Sequence, residues 1–153
     1  MRASDYASHI RGIATDLVRQ GMLTRQSRPI TVHIDSGNTR EFILADRPGL
    51  IYQDGAFLRI SEEFQIDEHG GLQRKHYAYH YERAGGYYIR FEREQHEGDQ
   101  LYKPEYHMHV CWRLPHFPSP SITLAELFDF INVNFYNPDH RQRLVGHHLA
   151  IEI

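Results

Sequence analysis

Cysteine is nearly absent from this chain: Cys111 is the only one in 153 residues. That excludes an internal disulfide framework and argues for a reducing compartment. Long apolar runs are missing too, and none approaches the roughly 18 residues a membrane helix needs. Residues 1–6 are polar and lack the apolar core of a signal peptide, so the expected location is the cytoplasm, with no membrane partner. An excess of one charge is also missing: the net charge is −3 with His neutral. Bulk electrostatics therefore recruits no nucleic acid, and any nucleic-acid site must be a local patch. The twelve histidines shift that balance upward as pH falls toward 6.5. There is no Gly-rich phosphate loop, no His-Glu-x-x-His helix, no Cys pair, no nucleophile elbow around Ser119 or Ser121, and no internal repeat.

The composition, 41% hydrophobic and 24% charged, is that of an ordinary globular protein. A chain of this length can bury a core as one domain, taken here as residues 1–153. Ile10, Ile13, Ala14, Leu17 and Val18 recur at helical spacing, predicting an amphipathic helix over 5–22 that ends at Gly21. Strand-like segments follow at 29–35, 40–45, 50–53, 57–66, 72–83, 87–94 and 106–114. Turn residues separate them: Ser36-Gly37-Asn38, Arg47-Pro48-Gly49, Asp54-Gly55, Asp67 through Gly71, and Ala84-Gly85-Gly86. Pro118 and Pro120 end the strands. Thr123-Leu124-Ala125-Glu126 is a capping box opening a second helix, with Leu124, Leu127, Phe128 and Ile131 inward. The tail, 139–153, reads either as helix or as an edge strand. Strands running in series between two helical segments predict an α+β fold: an antiparallel β-meander of five to seven strands flanked by an N-terminal and a C-terminal helix.

Period two divides the central strands into two faces. Tyr77, Tyr79 and Tyr81 share one, and His76, Ala78, His80 and Glu82 the other. If Arg83 faces Tyr87 across the turn, His80 lies opposite Arg90, and the polar faces of the two strands coincide; a one-residue slip would mix polar with apolar. In the last strand Tyr106, Met108, Val110 and Trp112 form an apolar set, and His107, His109, Cys111 and Arg113 a polar one. One face thus gathers His76, His80, Glu82, Arg90, Glu92, His107, His109 and Arg113. The bland account is the wet side of a half-exposed sheet. Imidazoles beside guanidinium groups instead combine proton transfer near neutral pH with anion stabilisation. A metal reading of His107-x-His109 lacks a convincing third ligand and places Arg90 where it would repel a cation, so no metal or other cofactor is expected.

The residues Asp54-Gly55, Tyr77-Ala78-Tyr79-His80, Ile89-Arg90-Phe91-Glu92, Pro104-Glu105-Tyr106-His107-Met108-His109-Val110 and Thr123-Leu124-Ala125-Glu126-Leu127 occur in an order that resembles the TumE family of bacterial toxins. Such toxins are usually encoded beside a helix-turn-helix antitoxin. The resemblance implies an antitoxin partner with a DNA-binding helix-turn-helix, and RNA as substrate. Metal-free RNA cleavage needs a base for the 2′-OH, an acid for the leaving 5′-oxygen and cations for the phosphorane charge. His80 with His107 or His109 fits the acid–base pair, and Arg90 with Arg113 the phosphate clamp; Tyr88 and Tyr102 are placed to stack a base, with Glu82 beside them. Two other readings remain open: a module that docks protein or nucleic acid without chemistry, and a metal-assisted hydrolase built on His107 and His109.

Overall fold

In the computed structural model, residues 3–25, 31–34, 40–69, 71–95 and 102–136 are described. Helix α1 (Ala3–Arg19) precedes seven strands: β1 (Thr31–Ile34), β2 (Arg40–Ile51), β3 (Phe57–Ile66), β4 (Leu72–Glu82), β5 (Tyr88–Arg93), β6 (Tyr106–Val110) and the two-residue β7 (Phe117–Pro118). The strands form one antiparallel sheet in sequence order. This is the α+β meander expected. The chain divides into two units, 1–121 and 122–153, and the second contains α2 (Leu124–Ile131). The capping box forms as anticipated: Thr123 N–H donates to Glu126 Oε2 at 2.7 Å, and Glu126 N–H to Thr123 Oγ1 at 3.2 Å. Leu124, Leu127, Phe128 and Ile131 are buried. The turn at 36–38 and the tail at 139–153 lie outside the described residues.

The β4–β5 hairpin sets the register of the central strands. Gly85 and Gly86 have φ of 107° and 85°, conformations that side chains rarely tolerate, and Arg83 N–H bonds the Tyr87 carbonyl at 2.8 Å. His80 therefore pairs with Arg90 and Tyr79 with Phe91. Tyr77, Tyr79 and Tyr81 are fully buried, and Leu58, Ile60, Phe64, Ile89 and Phe91 are buried as well. Each such ring removes about 150–250 Å² from water, an upper bound of roughly 4–6 kcal/mol of burial. Ala7, Ile10 and Leu17 of α1 are buried, and Tyr6 meets the Phe64 ring edge-on at 5.4 Å.

Glu62, on the buried face of β3, is the exception to this apolar core, with no exposed side-chain surface. Its Oε1 accepts from Tyr6 at 2.9 Å, from Arg74 at 3.4 Å and from Tyr79. Burial pushes its pKa up, while hydrogen bonds from Tyr79 and Tyr6 and the Arg74 charge pull it back.

Two expectations change. The Pro48-Gly49 segment does not break the second strand: β2 continues through it with a register shift between Ala45 and Leu50. Gly49 makes this possible, since its φ is 81° and a Cβ there would stand 2.4 Å from the Leu58 carbonyl oxygen. Gly49→Ala is expected to lower stability by about 2 kcal/mol or more. Gly12→Ala, in α1 with open space around it, should raise stability by roughly 0.5–1 kcal/mol. Urea unfolding of the two variants checks both signs.

The second change is at β6, which ends at Val110 rather than 114. Its burial is also the reverse of that expected: His107 and His109 are buried, Met108 and Val110 only half-buried, and Trp112 is 75% exposed. Cys111 adopts a left-handed backbone, φ 61°, and turns the chain back toward β7. Connecting segments then close over the histidine face, where the carbonyls of Pro104 and Arg113 meet the two rings.

Candidate active site

The ladder places three side chains in a row. His80 pairs with Arg90, and Arg90 with His109, so alternation sends all three to one face. Glu92 and His107 make the neighbouring row. Adjacent strands lie about 4.8 Å apart, which places the outer two backbones roughly 10 Å from one another.

His80 is held firmly. Its Nε2 lies 2.9 Å from Glu82 Oε2, and its ring stacks near Tyr88 at 5.0 Å and Phe57 at 6.0 Å. Burial lowers its pKa below 6.5; Glu82 opposes that shift, and Arg59 and Arg90 add to it. At pH 7 the ring is therefore mainly neutral, the form that accepts a proton.

Glu92 joins the other groups. Its Oε1 accepts from Arg90, while its Oε2 lies 2.9 Å from His109 Nε2 and 3.6 Å from His107 Nε2. The Nδ1–H of His107 donates to the Pro104 carbonyl at 2.7 Å, and that of His109 to the Arg113 carbonyl at 2.9 Å. A carbonyl oxygen only accepts, so Nδ1 of each ring carries a proton. His107 Nε2 is buried without a hydrogen-bond partner among the described residues. Burial lowers the His107 pKa, against the Pro104 carbonyl and Glu92, and leaves that ring neutral. His116, just before β7, places its ring 5.0 Å from His107 and 4.8 Å from His109.

These groups border a cleft of about 600 Å³ lined by His80, Tyr88, Arg90, Glu92, Glu94, Lys103, His109, Arg113, Leu114 and His116. Lys103 pairs with Glu94. Leaving the histidines aside, three cations face two carboxylates, a modest local excess suited to an anionic ligand.

Of the residues anticipated from sequence, His80, Arg90, His109, Arg113 and Tyr88 line this cleft. Glu82 acts on it through His80. Tyr102, 76% exposed, lines an adjoining hollow with Lys103, Leu114, Pro115 and His116. His107 lies beneath the wall, 0% exposed, where it reaches no large substrate directly. Sequence reasoning missed Lys103 and His116, and it gave Glu92 no role. The spacing His107-x-His109 followed seven residues later by His116 was the available signal for the third ring.

Comparison with known proteins decides the family. A model of the family described as Toxin TumE matches residues 23–133. The chain belongs to the TumE toxin family. It is thus the toxin of a toxin–antitoxin module, whose partner is an antitoxin. No curated protein and no solved structure matches it. All the cleft residues fall within the TumE match. No helix among the described residues is long and apolar enough to cross a membrane.

Proposed function

We propose that this TumE toxin is an endoribonuclease that cleaves RNA in the cleft over β4, β5 and β6, and that its antitoxin carries a DNA-binding helix-turn-helix. The observation that carries the RNA reading is the paired row His80, Arg90, His109, opening into one cleft with an anion-attracting lining. His80, neutral and oriented by Glu82, is the base that takes the 2′-OH proton. Arg90 gives one donor to Glu92 and keeps others for the phosphate, whose charge grows as the phosphorane forms. Arg113 and Lys103 attract the flanking backbone, and the exposed Tyr102 ring offers a stacking surface for an unpaired base. In-line attack puts the leaving 5′-oxygen on the side of the phosphorus opposite the 2′-oxygen, where a water from the cleft gives it its proton.

The test compares an RNA oligonucleotide with the same sequence carrying a 2′-deoxy sugar at each cut position. The RNA is expected to yield 2′,3′-cyclic phosphate ends, and the substituted strand to stay intact, because the attacking hydroxyl is gone. Equal cleavage of both strands, or intact RNA with protein that still arrests growth, overturns the reading.

A further inference from the structure

We infer that His107, His109 and His116 form a binding site for one divalent transition-metal ion of the zinc class, in the wall of the cleft. The inference does not rest on RNA being the substrate, since metal content is read without any substrate present. One ring nitrogen from each of the three histidines lies within 4.8 Å of those of the other two. Interplanar angles of 78°, 82° and 68° show that the rings meet edge to face and do not stack, and the closeness of their nitrogens places them around a common point.

The hydrogen bonds on the far sides of the rings support this. Both His107 and His109 give Nδ1–H to a backbone carbonyl. That is the outer support usual for metal-ligating histidine, which fixes the tautomer and aims Nε2 at the ion. His107 Nε2 is fully buried and has no hydrogen-bond partner among the described residues, although buried polar atoms are nearly always satisfied. His109 Nε2 and His107 Nε2 both face the same carboxylate oxygen, Glu92 Oε2, at 2.9 and 3.6 Å. Two nitrogens and a carboxylate around one point need a positive charge between them. A proton satisfies only one nitrogen at a time, whereas a metal ion satisfies all three groups.

Imidazole donors select zinc and its neighbours in the transition series over magnesium or calcium. Three histidines leave a fourth position, which Glu92 or a water from the cleft fills. Zn–N bonds of about 2.1 Å place tetrahedral ligands roughly 3.4 Å apart, so the rings must draw in by about 1 Å. His116 stands outside the β6–β7 ladder and can make that movement with little disturbance of the sheet. The sequence argued against a cation because Arg90 is near and no third ligand was in view. In the fold Arg90 is paired with Glu92, and the third ring arrives after the turn at Cys111.

The full chain, without a histidine tag, is stripped with a chelator, dialysed against one equivalent of Zn²⁺ or Co²⁺, and desalted. Elemental analysis should find one zinc per chain, and the cobalt form should show the visible absorption of a tetrahedral ion. Zinc should also raise the melting temperature of the wild type. His116→Asn should weaken binding beyond the roughly 10–100-fold typical of losing an outer-shell partner, with an unchanged metal-free melting curve. His69→Ala, at an exposed histidine, should bind like wild type. Wild-type protein that keeps no metal and gives no visible cobalt spectrum overturns the site, as does His116→Asn binding zinc with wild-type affinity. RNA cleavage is scored separately: metal bound without cleavage supports the site and removes the nuclease reading, and cleavage without any bound metal does the reverse.

Discussion

Cells expressing His80→Ala are expected to grow like uninduced cells, with the variant protein as folded as the wild type. Loss of a general base reduces the chemical step by about 10²–10⁴-fold, enough to remove growth arrest. The ring is half-buried between Tyr88 and Phe57, and its truncation should lower stability by only about 1 kcal/mol. Melting curves separate the two effects. A pH profile adds a readout that a structural role would not move. The groups facing His80 are Glu82 on its own strand, Arg59 from β3 and Arg90 from β5, and burial outweighs Glu82 to hold the pKa below 6.5. The base works unprotonated, so activity falls as pH drops through that lowered value, and the acid limb inflects below 6.5. Undiminished toxicity of His80→Ala, or an acid limb above 6.5, sinks the assignment.

Arg74→Ala is expected to produce the largest loss of stability. Arg74 donates to Glu62 at 3.4 Å and to the Tyr79 hydroxyl at 2.8 Å, and its guanidinium lies 4.3 Å from the centre of the Tyr77 ring. Removing it leaves the fully buried Glu62 carboxylate without its counter-ion. Breaking a buried pair from one side loses about 3–5 kcal/mol, and Arg74 retains some exposure, so about 3 kcal/mol is expected. That corresponds to a melting temperature lower by roughly 10 °C. The loss should shrink from pH 7.5 to pH 5. Glu62 already has a raised pKa; a group that holds its proton more tightly folded than unfolded loses stability as pH rises, and protonation removes the uncompensated charge. A loss equal at both pH values, or under about 1 kcal/mol, contradicts this account.

Much of the architecture was legible because its causes are local. The alternation of Tyr77, Tyr79 and Tyr81 with His76, Ala78 and His80 assigns the faces of β4. Gly85 and Gly86 take up the positive φ that the tight turn uses, and that turn brings His80 opposite Arg90. Thr123 and Glu126 cap α2 through residues three apart. The succession of short motifs also identified the TumE family, and the match over residues 23–133 agrees.

What only the tertiary structure decided depends on contacts between segments far apart in sequence. Alternation says which β6 residues share a face, and it does not say which face is covered. The turn at Cys111 and the loop around Pro104 lie against the histidine side, so His107 and His109 are buried where Met108 and Val110 were expected to be. His116 joins them through the pairing of β7 with β6. Glu62 reads as a polar residue in a strand, yet its partners lie 56, 17 and 12 residues away in Tyr6, Tyr79 and Arg74. Periodicity reports the local chain geometry that orients a side chain, whereas the groups that meet it across space are brought there by the packing of the whole sheet.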